Sequence, residues 1–297
     1  MSGEFSFRCP EVAENVINRS IAITGVARSG TTLLGKLIHT LDNVEYFFEP
    51  PLLLPILLSI PESSISERSF LLESYLYEEL FLGAIAGRLI NTNKNDESSI
   101  FHAKSPSELA FRFSRSWRRF ELEEISKTKT LAFKLPSAAA PLKEMKDRYP
   151  GMRVIHCFRR PQQVIASLLK KGWFKPKEAF DSPLRPYKWI GNRSFPWWVY
   201  AEDADRYYEY DETNRCAYYY LQVVACAQDK DSFEWVDYDR LVMKPLEVLE
   251  GLVEGTSLAL SGKTLEVVGG ISRRTPIADR SLLQMCSEDL KAIYEYA

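Results

Sequence analysis

The sequence predicts an α/β fold, a single domain with a central parallel β-sheet flanked by helices. Short apolar runs rich in β-branched residues recur along the chain: SIAITGV (20–26), VEYFF (44–48), TLAFKLP (130–136) and MRVIHCF (152–158). Helical patterns separate them, so strand and helix alternate. The runs are apolar nearly throughout, as expected of strands buried on both faces.

SIAITGV closes on Gly25, and ARSGTT leads into LLGKLIHTL (33–41), whose leucines and isoleucine share one helix face. VEYFF is stopped by Glu49-Pro50-Pro51. Residues 62–93 read as helical, with apolar positions at helical spacing from Phe70 to Ile90, and 91–99 (NTNKNDESS) as a polar loop. Pro136 ends TLAFKLP, and LKEMKDRYPG (142–151) is a helix with its stop signals. After MRVIHCF and Arg159-Arg160-Pro161, QQVIASLLKKG (162–172) continues as a helix. Residues 172–215 hold four of the six tryptophans and several prolines, and read as an irregular acceptor-side insertion or lid. CAYYYLQVVACAQ (216–228) is a helix, FEWVDYDRL (233–241) a strand and turn, and SLLQMCSEDLKAIYEY (281–296) an amphipathic helix. With neither a repeat nor a linker, 1–297 reads as one domain.

The 297 residues carry 38 Lys+Arg against 40 Asp+Glu, a net charge of −2, with 45% hydrophobic and 26% charged residues. Collagen-like, low-complexity and disordered classes are excluded. Without a global basic field, a nucleic-acid partner is not expected. Five scattered cysteines without CxxC spacing argue against a disulfide framework or a zinc site and for a reducing compartment. The N-terminal segment has no signal-type apolar core, and the apolar stretch 51–60 is broken by Pro55 and too short to span a bilayer. A cytoplasmic protein without membrane or metal partners is expected.

The most informative segment is Gly25-Val-Ala-Arg28-Ser29-Gly30-Thr31-Thr32, between a predicted strand and a predicted helix. Glycines let the backbone approach an anion, successive N–H groups point inward, and the helix N-terminus adds a favourable dipole. The spacing is GxxxxG, as in a Walker A loop, but Thr31-Thr32 stand where that loop has Lys-Ser/Thr. The cation is Arg28, inside the loop. A tight strand–helix turn without a ligand is the plainer alternative.

Arg28-Ser29-Gly30-Thr31-Thr32 resembles the [R/K]-S-G-T-T loop of the sulfotransferase superfamily, which takes sulfuryl groups from 3′-phosphoadenosine 5′-phosphosulfate (PAPS). Arg159-Arg160-Pro161 running to Ser167, directly after a strand, resembles the family's R-x-P-x-x-x-x-x-S motif. The resemblance implies a P-loop nucleoside triphosphate hydrolase-like fold, with Arg28 to Thr32 on the 5′-phosphosulfate and Arg159 and Ser167 on the 3′-phosphate. It implies PAPS as donor, adenosine 3′,5′-bisphosphate (PAP) as product and no metal. FKLP (133–136) resembles the family's lysine-bearing strand end. Tyr238-Asp239-Arg240-Leu241 resembles a segment near the adenine, and Arg273-Arg274 resembles, loosely, a late basic loop over the 3′-phosphate. Leu33 stands where many cytosolic members carry tryptophan, which brings the chain closer to the bacterial, Golgi-related or carbohydrate-type branches.

Sulfuryl transfer is an in-line displacement in which charge grows on the leaving phosphate, so the site needs fixed cations and a base. Arg28 and Lys134 are the candidate cations, Lys134 because open α/β sheets place ligands at strand ends. Lys104 in FHAKSP competes, although a structural lysine is the plainer reading there. Glu49, closing the second strand, is the candidate base, and its alternative is a turn cap beside Pro50-Pro51. His102 is the reserve base; His39 and His156 read as structural imidazoles.

The acceptor is expected to be a small molecule offering a hydroxyl or amine. Residues 170–193 carry a local +5 and 202–212 a local −5, plainly read as solvated faces. A sharper reading has the acids, with Tyr207, Tyr208, Tyr210, Trp197 and Trp198, meeting a cationic natural product such as a saxitoxin-like alkaloid. The competing functions are a P-loop kinase or nucleoside triphosphatase, disfavoured by the missing lysine, and a non-catalytic PAP-binding protein. The sequence does not indicate an oligomeric state.

Overall fold

Strands β1 (Ile21–Gly25), β2 (Val44–Phe48), β3 (Thr130–Lys134), β4 (Arg153–Phe158), β5 (Tyr187–Ile190), β6 (Arg193–Pro196) and β7 (Glu234–Asp237) form two sheets. The main sheet has the order β2-β3-β1-β4-β7, every pair parallel, with β1 in the centre. Such pairing needs crossovers, and helices Thr31–His39, Ala139–Arg148 and Pro161–Lys171 lie on them. The computed structural model describes residues 8–59, 65–175, 186–273 and 280–297. The α/β class read from the apolar runs is the observed one.

Burial follows from the composition of the strands. All residues of β1 and β3 are buried, because both faces are covered. One core, including Leu131, Phe133, Leu142 and Val154, packs beneath one face. Ile23, Leu34, Leu37, Ile155 and Leu249 fill the other. A third cluster, built on Val164, Leu168, Tyr219 and Val223, joins the Pro161–Lys171 and Glu212–Ala225 helices.

Three elements differ from the sequence reading. The described part of 172–215 is ordered: β5 and β6 pair antiparallel as a hairpin, followed by a short helix, Ala204–Glu209. Its turn is Gly191-Asn192, with Gly191 at φ 61°, a dipeptide suited to a two-residue hairpin. The helix expected over 62–93 is interrupted, because from Ser74 to Phe81 the turns widen to π-helical spacing; residues 62–64 lie outside those described. The final helix is short, Ser281–Gln284, and Glu288–Tyr296 winds more tightly as a 3₁₀ helix.

β2 is pinned at its amino-terminal end by a buried ion cluster. Arg112 donates to both Glu45 carboxylate oxygens at 2.8 and 2.9 Å, and Lys129 lies 2.8 Å from Oε1. Burial alone would raise the Glu45 carboxyl, but Lys129 and Arg112 overcome it and hold it at about 2. A depressed carboxylate stabilises the fold above its unfolded-state pKa and loses that contribution as pH falls through the folded value. Stability is therefore expected to fall between about pH 5 and pH 2, with Glu45 contributing about 3 kcal/mol of the loss. Urea unfolding across that window should show a shallower acid slope in Glu45→Gln; an unchanged slope contradicts the assignment.

Candidate active site

Because all five strands of the main sheet run the same way, their carboxyl ends converge on one edge. Each ends there on a residue of interest: Gly25, Glu49 after Phe48, Lys134, Arg159 after Phe158, and Tyr238 after Asp237. Their heights match, since Ile23 and Phe48 pair with Lys134, Gly25 with Cys157, and Phe158 with Asp237. Ligands of open α/β sheets sit at this edge.

The loop between β1 and the Thr31–His39 helix wraps closely under its neighbours. Gly30 has φ 99°, and a Cβ there would lie 2.4 Å from the Tyr238 ring, so glycine lets the ring rest on the loop. Arg28 sits in the left-handed region at φ 75°. The Arg159 guanidinium fixes it there, donating to the Arg28 carbonyl at 2.9 Å and to Gln163 Oε1 at 3.0 Å. Arg28 Nε donates to Ser167 Oγ at 3.1 Å, and the Arg159 guanidinium lies 4.1 Å from the Tyr238 ring centroid. Two segments over a hundred residues apart thus form one basic surface with the hydroxyls of Ser167 and Thr32.

Lys134 occupies the next strand end. Its side chain is 2% exposed, and Nζ lies 2.7 Å from Glu49 Oε1, 3.0 Å from Thr32 Oγ1 and 3.6 Å from the Phe48 ring centroid. Burial lowers the ammonium pKa, opposed by the Glu49 carboxylate. Glu49 itself is half exposed and left-handed at φ 47°, its amide donating to the Lys134 carbonyl at 3.1 Å. Glu49 lines a cavity of ≈310 Å³ with Ser137, Trp173, Trp197 and Trp198.

Sequence reading missed a second network. Tyr219 OH accepts from the Ala27 amide at 2.8 Å and shares a hydrogen bond with Ser137 Oγ. Burial pushes the Tyr219 phenol up to about 12, so it stays protonated. Ser137, at φ 66°, donates its amide to the Gly25 carbonyl at 2.9 Å. No local pattern marks Tyr219, and Ser137 carries no signal behind the strand-ending Pro136.

Other candidates lie elsewhere. Lys104 is buried, donating to the Leu41 carbonyl at 3.1 Å, just past the carboxyl end of the Thr31–His39 helix and about 13 Å along it from the loop. His102, in the same segment, contacts the Lys94 carbonyl at 2.9 Å through Nε2. Neither joins the strand-edge group, so the reserve base and the rival lysine are set aside. Burial lowers the His39 imidazole to about 3 and His156 to about 4, leaving both neutral. Arg273 is exposed in the coil after Gly262–Gly269, and Arg274 lies outside the described residues.

Three acids of the acidic stretch are engaged structurally. Asp203 accepts from Tyr218 and Arg206, Asp205 pairs with Arg193, and Asp211 caps the Glu212–Ala225 helix. None of 202–212 lines the Glu49 cavity. Its acids therefore do not build a pocket for a cationic acceptor beside Glu49.

The edge fits an anion. Ser29 Oγ is buried and has no hydrogen-bond partner among the described residues, Arg28 and Lys134 supply charge, and the helix N-terminus faces the loop. Among the described residues no group of His, Cys, Asp or Glu could hold a metal ion, and the five cysteines are unpaired. No described helix is long and apolar enough to cross a membrane.

The sulfotransferase family profile matches residues 20–261, spanning both the loop and the Arg159–Ser167 motif; the chain belongs to that family. Sulfotransferase STF9 from Mycobacterium avium shares 13% identity at TM-score 0.47, covering 96% of this chain and 77% of that one. Sulfotransferase STF1 from Mycobacterium tuberculosis H37Rv shares 17% at TM-score 0.44, over 96% and 78%. The sulfotransferase domain from the Synechococcus PCC 7002 olefin synthase shares 16% at TM-score 0.42, over 93% and 86%. None of the curated proteins compared matches the sequence.

The close approach at Gly30 is directly testable. Gly30→Ala should cost about 1–3 kcal/mol of stability through left-handed strain and the collision with Tyr238. Adding Tyr238→Ala should relieve the collision alone, so the double-mutant cycle in urea should be non-additive. Strict additivity contradicts the contact.

Proposed function

We propose that the chain is a PAPS-dependent sulfotransferase that moves a sulfuryl group to a hydroxyl or amine of a small-molecule acceptor, releasing PAP. The observation that carries this reading is the joining of Arg28, Ser167 and Arg159 into one basic surface at the sheet edge. A donor with a 5′-phosphosulfate and a 3′-phosphate needs two anion sites on one side of the sheet. The Arg28–Thr32 loop supplies one and the Arg159–Ser167 segment the other, and Tyr238 offers an aromatic face between them.

Glu49 is the proposed base. Lys134 engages its Oε1, which orients the carboxylate toward the cavity. The acceptor oxygen or nitrogen attacks sulfur in line, its proton passes to the Glu49 carboxylate, and the S–O bond to the 5′-phosphate breaks. Negative charge then grows on the departing phosphate beside Lys134 and the loop amides. These donors are fixed before reaction, and such preorganisation supplies most of the stabilisation in sites of this type. The chemistry needs no metal because the cations are side chains.

The acceptor reading narrows. A saxitoxin-like cation held by the acids of 202–212 draws no support from the cavity, since none of them lines it and Asp203, Asp205 and Asp211 serve pairs and a cap. Trp173, Trp197 and Trp198 remain beside Glu49. A cytoplasmic location stays part of the proposal, with no nucleic-acid or membrane partner.

PAP should raise the thermal midpoint, by about 2.7 kcal/mol of stabilisation at a hundredfold excess over Kd, and ATP with Mg²⁺ should not. Arg159→Ala should abolish that shift. Glu49→Gln should keep it while lowering kcat about 10²- to 10⁴-fold. A shift with ATP and Mg²⁺ alone would favour a kinase or nucleoside triphosphatase. A PAP shift without turnover on any acceptor would favour a non-catalytic PAP-binding protein.

A further inference from the structure

The ≈310 Å³ cavity at Glu49 does not end at the tryptophans. A second cavity of ≈460 Å³ shares Ser137, Trp197 and Trp198 with it and extends between the Leu53–Ser59 and Glu212–Ala225 helices. The near cavity is walled by aromatic rings, prolines and leucines, and Glu49 is its one ionisable side chain among the described residues. The far cavity is lined by Leu57, Leu58, Pro141, Val223 and Cys226, with Tyr200 and Gln222 as neutral polar neighbours. Its charged groups, Arg68 and Glu144, pair with each other at 3.3 Å, so the wall offers no net charge to bind.

The geometry points to one continuous acceptor cleft that takes an elongated, uncharged amphiphile: a primary alcohol or phenol on a long apolar body. This rests on the sulfotransferase reading and names its acceptor class. The hydroxyl sits at Glu49, the body passes Trp197 and Trp198, and the apolar end fills the space between Leu57 and Val223. A short polar acceptor would leave the far cavity unfilled and gain nothing from the apolar part of its wall. Ser137, at the junction, is tied through Tyr219 to the Ala27 amide, so the body of the acceptor lies against the strut that holds the phosphate loop. Binding there follows the area removed from water, with about fourfold in Kd for each methylene buried.

Linear primary alcohols from butanol to octanol provide the probe, followed by intrinsic tryptophan fluorescence with and without PAP. The Kd should fall on the order of a hundredfold across the series. Gln222→Trp, which fills the far cavity from a half-buried helix position, should weaken octanol at least about tenfold and leave butanol unchanged. Ala140→Phe, entering from the opposite wall, should act in the same direction and serves if the first variant fails to fold. A flat series, or variants that weaken both alcohols equally or neither, overturns the cleft. With PAP binding intact, that result leaves the sulfotransferase reading standing. Length-dependent binding without any PAP binding keeps the cleft and removes that reading.

Discussion

The hydrogen bond from the Arg159 guanidinium to the Arg28 carbonyl is the contact on which the functional edge depends. It joins the end of β4 to the loop after β1 and holds a non-glycine residue in a left-handed conformation. Arg28, Glu49 and Ser137 all have positive φ, and all lie at the carboxyl edge of the sheet. Such positions cost about 1–3 kcal/mol each and persist only where surrounding structure over-determines them. Here each is held by a named contact: Arg159 on Arg28, the Lys134 carbonyl on the Glu49 amide, and the Gly25 carbonyl on the Ser137 amide. Strain and hydrogen bonding together aim the side chains.

Electrostatics divides β2 in two. Glu45, near its start, is fully buried and saturated by Arg112 and Lys129, whereas Glu49, just past its end, shares Lys134 and faces a cavity. Four residues along one strand therefore separate a carboxylate that anchors the fold from one free to meet a ligand. The buried Lys134 would be costly without a partner, and Glu49, Thr32 and the Phe48 ring supply three. In the proposed transfer the tetrad would face the developing negative charge.

How much of this was legible in the sequence depended on range. The four apolar runs became parallel strands because burial on both faces leaves a pattern within a few residues. The loop and the Arg159–Ser167 segment were legible for the same reason, and so was Lys134, since a cation at a strand end is a local feature. Long-range facts were not: Tyr219 reaches Ala27 across 192 positions, and nothing near it marks that role. The hairpin was visible in principle, through Gly191-Asn192, but was masked by the surrounding tryptophans and prolines. The acidic run left both of its readings open, because a charge count cannot tell a cap or an ion pair from a binding surface. Lys104 is the structural lysine of its plainer reading, and the place of His102, beyond the far end of a helix whose near end forms the loop, is not visible without geometry.

The proposed function requires that the Arg28–Ser167–Arg159 surface read a 3′-phosphate in addition to a 5′-phosphate. Titration calorimetry with PAP and with adenosine 5′-monophosphate isolates that difference, since the two ligands share everything but the 3′-group. PAP should bind at least about tenfold more tightly, the range of a charge-assisted contact, with the difference lost in Ser167→Ala and Arg159→Ala. Equal affinity for the two nucleotides in the unmodified protein would contradict it.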